Sequence, residues 1–261
     1  MRKLLLLSAF CIFAIITFAQ VKQKGTPLMR NFKKVDYDGG TQNWAISQDY
    51  RGFIYVANNN GLLQFDGSFW NLYYMPDSSK LVRSVLCVGD TIFTGSFDEF
   101  GYFLHDPQNG LKYHSLMPLL DKKVSDIDEV WRIYNVGRKI IFQSYTSVMV
   151  FEGGHLTTLT PPEILQFSFL IGDRYYVQGK SGNIYLFKHN QFTAFNDGGT
   201  FKGMQGWCVL RIDSEKYLVA TINHGVWLFR RGRFTRWTNE ANTFLKRNQI
   251  FSASAIPGGY F

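Results

Sequence analysis

The chain has 261 residues, a formal net charge of +8, 46% hydrophobic and 17% aromatic residues, and three cysteines. Beyond Phe18 no apolar run reaches the roughly 20 residues that a membrane-crossing helix needs, and Cys87 and Cys208 show no metal or redox spacing. A basic balance fits nucleic acid in general, but an exported chain rarely meets it, so nucleic acid is set aside as a partner.

Residues 1–19 read as a signal peptide. Arg2 and Lys3 precede an apolar run from Leu4 to Phe18, and Thr17-Phe-Ala19 offers small residues for cleavage before Gln20. Cys11 lacks the Leu-Ala-Gly lead of a lipoprotein, so the expectation is an exported, periplasmic chain with no membrane span after cleavage. Residues 20–40 form an N-terminal segment in which Arg30 to Tyr37 resembles Arg233 to Trp237 and reads as a strand able to close a ring.

From residue 41 to 261 a cassette of strands repeats. Its second strands are predicted at Phe53–Ala57, Thr91–Gly95, Lys139–Gln143, Arg174–Gln178 and Lys216–Ala220, spaced by 38, 48, 35 and 42 residues. Third strands follow at Leu62–Phe65, Tyr102–Leu104, Val148–Phe151, Ile184–Phe187 and Val226–Phe229. Fourth strands follow turns such as Asp66-Gly67, Gly153-Gly154 and Arg231-Gly232, which supply the positive φ of tight hairpins. An all-strand repeat of about forty residues predicts an all-β fold, a β-propeller of four-stranded antiparallel blades. Five blades are expected, then an incomplete sixth: Ile250–Ile256 reads as a first strand and Pro257-Gly-Gly259 as a hairpin. An innermost strand followed by a stump implies an open ring and the N-terminal part of a longer protein. Helical turns are expected only near Pro118–Asp121 and Asn239–Lys246.

Cys87 and Cys208 fall in first strands of blades too far apart for a disulfide and read as buried free thiols. Arg230, Arg231, Arg233 and Arg236, interleaved with Phe229, Phe234 and Trp237, read as a charged outer edge guarded against strand pairing. The alternative for that cluster is a site for an acidic ligand or an acidic glycan surface.

No catalytic constellation stands out. His105, His114, His155, His189 and His224 are scattered over separate blades, and Asp98, Glu99, Asp126, Asp128 and Glu129 have no spacing that fixes an acid–base pair. No catalytic residue, metal site or cofactor is expected. Propellers take ligands where first strands begin and loops converge. Trp44, Arg83, Trp131 and Trp207 fall there, with Glu99 and Glu129 in adjacent loops. Two roles are open to the tryptophans, packing between blades or stacking on a sugar ring.

The segment Asp49 to Gly67, DYRGFIYVANNNGLLQFDG, resembles the two-component-regulator propeller repeat. Asn43-Trp44, Glu99 to Tyr102 and Glu129 to Trp131 are similar to exported sensors whose propeller precedes a triple-tyrosine domain. The resemblance spans Phe32 to Phe261. It implies an extracytoplasmic sensor of a membrane-spanning regulator, with a histidine kinase or a LuxR-type helix-turn-helix as output, anchored in the inner membrane. Relatives respond to glycans, so an oligosaccharide or other small polar ligand is the implied partner. The remaining blades and the triple-tyrosine domain of the full-length protein are further partners, as is a second copy in a homodimer. A free periplasmic protein- or carbohydrate-binding propeller is the alternative, and a propeller lyase or glycosidase ranks last.

Overall fold

The computed structural model describes residues 29–76, 81–108, 110–121, 127–196, 198–253, 255–256 and 259–260. The expected signal peptide and Asp126 lie outside the described residues. The chain divides into two compact units, Met1–Lys33 and Lys34–Phe261. In the first unit, the Arg30 guanidinium lies 4.6 Å from the centre of the Phe32 ring.

The second unit holds five four-stranded antiparallel sheets, each built from consecutive strands. Blade one comprises β1 (Asn43–Gln48), β2 (Ile54–Asn58), β3 (Gly61–Phe65) and β4 (Trp70–Tyr73). Blade two comprises β5 (Ser84–Val88), β6 (Thr91–Gly95), β7 (Phe100–Asp106) and β8 (Gly110–Ser115). Blade three comprises β9 (Arg132–Val136), β10 (Lys139–Gln143), β11 (Val148–Glu152) and β12 (His155–Leu159). Blade four comprises β13 (Leu165–Ile171), β14 (Arg174–Gly179), β15 (Ile184–Lys188) and β16 (Gln191–Phe195). Blade five comprises β17 (Gly206–Arg211), β18 (Lys216–Thr221), β19 (Val226–Arg230) and β20 (Arg233–Arg236). A two-stranded ladder, β21 (Ala255–Ile256) with β22 (Gly259–Tyr260), follows. Among the described residues no strand ladder joins one blade to the next, and a single-pair antiparallel bridge of Phe97 with Glu129 links the β6–β7 loop to the approach to β9.

The second strand of each cassette is buried on both faces, as β10 and β18 show. That is why these segments are nearly unbroken apolar runs instead of alternating ones. The fourth strands are the wet edge, and in β20 only Phe234 is buried while Arg233 and Arg236 are exposed. The core therefore lies between the blades. Tyr55, Ala57 and Leu62 meet Val85, Ile92 and Phe103, and the next gap is filled by Phe93, Phe100, Ile140 and Phe142. Phe167, Phe169, Tyr176, Tyr217 and Phe229 fill the gap between blades four and five. Flat rings suit a wedge between twisted sheets because they bury large areas in tilted or edge-on pairs. Phe100 meets Phe142 at 4.8 Å between ring centres.

The hairpin between β11 and β12 turns through Gly153 (φ 58°) and Gly154 (φ 83°). The one between β19 and β20 turns through Arg231 (φ 50°) and Gly232 (φ 77°). Positive φ at both central residues is the type I′ geometry whose twist matches that of the strands it joins.

Two expectations are corrected. Arg30 to Tyr37 is not a strand: Lys34–Tyr37 forms a single helical turn, α1, ended by Asp38 at φ 49°. Asp38 N–H donates to Lys34 O at 3.0 Å and the Tyr37 ring packs on Trp70, so the turn is satisfied locally and through blade one without a neighbouring strand. Ile250–Ala253 is likewise not a strand, and extended pairing begins only at Ala255. Ile250 instead packs with Leu245 of a second helix, α2 (Ala241–Arg247), over the outer face of blade five at Leu218, Ala220 and Val226.

Cys87 and Cys208 are unpaired and half-buried. Burial pushes both thiols up to about 11, opposed at Cys87 by a hydrogen bond with Ser47 and at Cys208 by the charge of Arg132. The thiolate is the nucleophile, so iodoacetamide at pH 8 should alkylate the folded chain about a hundredfold more slowly than the urea-unfolded chain. Equal rates in the two states would refute this assignment.

Candidate ligand-binding site

The first strands β1, β5, β9 and β17 converge on one cavity of about 580 Å³. It lies within the range of about 300–1,000 Å³ usual for small-molecule sites. Trp44, Arg83, Trp131 and Trp207 all line it, joined by Tyr145 and Phe251.

Local backbone irregularity aims two of these side chains. The pairing of β1 with β2 slips between Asn43 and Ala45, and that of β17 with β18 slips between Gly206 and Cys208. Trp44 and Trp207 are the residues left over at these bulges. A third bulge, between Leu165 and Phe167, leaves Gln166 over, and Gln166 lines an adjoining cavity of about 380 Å³ with Trp131, Tyr145 and Trp207. A bulge breaks the in–out alternation of a strand and re-aims one side chain. Three blades use it at the same place in the cassette.

On one side of the cavity the Arg83 guanidinium lies 3.3 Å from the centre of the Trp44 ring. Arg83 Nε also donates to Glu129 Oε1 at 2.9 Å, and a second nitrogen reaches Glu129 Oε2 at 3.4 Å. The contact combines a cation–π interaction with a two-pronged ion pair. Trp44 Nε1 donates to Asn59 Oδ1 at 2.7 Å, so ring, guanidinium and carboxylate form one braced unit. Burial raises the Glu129 carboxyl, Arg83 opposes that, and Asp128 adds to it. A carboxyl raised on folding contributes stability below its unfolded value and loses it as pH rises through the folded one.

Across the cavity, Trp131 stacks on Tyr145 with ring centres 5.2 Å apart and planes at 24°. Its Nε1 is buried with no hydrogen-bond partner among the described residues. Trp207 meets Phe251 edge-on at 6.4 Å.

Glu99 is not brought to this cavity. It is buried under blade two, where Oε1 accepts from Tyr113 Oη at 2.9 Å and Ser115 Oγ at 2.7 Å. Both donors come from β8, so the carboxylate ties the outer strand to the loop ahead of β7 and serves packing. Among the described residues no three His, Cys, Asp or Glu side chains are grouped to hold a metal ion, and His114 stacks on Tyr102 at 5.2 Å.

Sequence reasoning missed Tyr145, Arg132 and Phe251. Tyr145 had a usable signal: it follows the second strand of blade three, in the kind of loop that carries Asn59 in blade one. Those loops close the same rim as the starts of the first strands.

No family model matches the chain, and no curated protein does. Solved structures do. The WD40 β-propeller domain of Doa1 superposes with a TM-score of 0.60 at 12% identity, over 85% of this chain and 75% of that one. The extracellular domain of the putative hybrid two-component system BT3049 from B. thetaiotaomicron gives 0.60 at 13%, over 90% of this chain and 32% of that one. That of the putative hybrid two-component system BT4673 from B. thetaiotaomicron gives 0.58 at 11%, over 78% and 28%. The chain thus spans about a third of each bacterial domain. No helix among the described residues is long and apolar enough to cross a membrane. Identities this low carry the architecture alone: the chain is a β-propeller of four-stranded antiparallel blades.

Proposed function

We propose that this propeller is the extracytoplasmic ligand-sensing domain of a membrane-spanning signalling regulator, and that it takes an oligosaccharide or similar small polar ligand in the 580 Å³ cavity. The observation that carries the reading is the convergence of three tryptophans, a tyrosine and two arginines from four blades on one concave wall. Indole faces stack on the apolar faces of sugar rings, and guanidinium groups hold hydroxyls or carboxylates. The two B. thetaiotaomicron extracellular domains support the sensor role as neighbours in fold. Export, a periplasmic location and homodimerisation in a longer protein belong to the same reading. It assigns no catalysis, because Glu129, the carboxylate beside the wall, is engaged by Arg83.

A panel of neutral and acidic oligosaccharides titrated into the protein, followed by tryptophan fluorescence, tests the reading. At least one sugar should quench emission saturably, and Trp207→Ala should weaken its binding by about five- to tenfold, the worth of one aromatic stacking contact. A panel in which no sugar perturbs the emission would overturn it in favour of a propeller that binds protein.

A further inference from the structure

Three cavities meet at Trp207. The central one of about 580 Å³ shares Arg132, Trp207 and Phe251 with a neighbour of about 350 Å³. It shares Trp131, Tyr145 and Trp207 with the 380 Å³ neighbour on its other side. The charged side chains on these walls are Arg83, Arg132 and Lys180, and no carboxylate lines any of the three.

The two arginines differ. Arg83 is neutralised by Glu129 and braced on Trp44. Arg132 makes no ion pair among the described residues. Its Nε is buried there without a hydrogen-bond partner. Its guanidinium carbon lies 5.6 Å from the centre of the Trp131 ring. A guanidinium stays charged at all physiological pH values, and a buried donor without an acceptor is unfavourable until one arrives. The charge is felt by its surroundings, since Arg132 opposes the upward push of burial on both Tyr134 and Cys208. A cation in this state, flanked by aromatic faces and facing a wall free of acids, is complementary to an anion carried on a ring.

We propose that the ligand is a carboxylated sugar, a uronate, whose ring lies against the Trp131–Tyr145 and Trp207 faces and whose carboxylate is held by Arg132. The proposal rests on the saccharide reading above and narrows it. The planar fork of arginine matches a carboxylate with two parallel hydrogen bonds, which the point charge of a lysine does not.

The test is isothermal titration of the full chain with disaccharides containing glucuronate, galacturonate or iduronate, each against its carboxyl-reduced counterpart. At least one acidic member should bind about tenfold or more tighter than its reduced partner, the range of a hydrogen bond to a charged group. Arg132→Gln should bring that ratio close to one, and Arg132→Lys should restore only part of it. Should Arg132→Gln not fold, the unmodified protein decides, because the preference for the acid must also shrink as salt rises. A ratio near one in the unmodified protein, or an unchanged ratio in Arg132→Gln, overturns the proposal. Neutral sugars bound as well as acidic ones leave the saccharide reading standing and this one fallen. Failure of every sugar to bind sinks both.

Discussion

Phe142→Ala should destabilise the fold by about 3–5 kcal/mol, measured by urea unfolding. Phe142 is fully buried in β10 and packs against Phe93 at 6.0 Å and Phe100 at 4.8 Å, both from the neighbouring blade. Removing the ring forfeits its burial and leaves a cavity between two stiff sheets, neither of which can collapse without breaking its own ladder. Domains of this kind have about 5–15 kcal/mol of stability in total, so one substitution removes a large share. Phe69→Ala is the control: Phe69 is 72% exposed and its loss should stay within about 0.5 kcal/mol. Similar losses from both would mean that the gaps between blades are not the core.

Gln178→Leu should cost about 3 kcal/mol or more, from three backbone groups left without partners, and should weaken ligand binding as well. The Gln178 amide nitrogen donates to Gly182 O at 3.1 Å and to Met204 O at 3.0 Å, and its oxygen accepts from Gly206 N–H at 2.8 Å. The side chain is almost fully buried, so water does not replace these bonds freely. One amide thus pins the end of β14, the turn at Gly182 and the lead into β17. Trp207 is the next residue after Gly206, so the same bonds fix where its ring enters the cavity. Urea unfolding and the sugar titration should both respond to the substitution. A variant that loses stability but binds normally would show that Trp207 is positioned by its bulge alone.

The contrast between these two residues shows what was readable beforehand. Phe142 sits in Lys139–Gln143, an apolar run whose spacing from its counterparts marks it as an inner strand. Burial on both faces follows from that place in the cassette. Gln178 ends an equally clear strand, but its bonds reach 26 and 28 residues onward, and no local pattern announces them. Glu99 misled for a related reason. Its partners Tyr113 and Ser115 share a face of β8, but seeing that needs the pairing Gly101↔Ser115, which sequence does not display. Arg30 to Tyr37 has the composition of an outer strand, and such a strand exists only beside a partner edge. Here α1 closes on itself and docks Tyr37 on Trp70 instead. The tryptophans were legible as aromatic residues at the starts of first strands. The bulges that aim two of them were not, because register is a property of two strands.

Those bulges separate two kinds of inheritance. Trp44, Gln166 and Trp207 stand outside the ladder pairing of their blades, so exchanging any of them re-letters the wall of these adjoining cavities without touching the ladder hydrogen bonds between strands, Trp44 giving up in addition its bond to Asn59 and its contact with Arg83. A gene encoding this scaffold can therefore change the lining of these cavities by single codon changes at three fixed addresses while leaving the strand ladders intact. The wall of such an array is free to drift faster than its architecture.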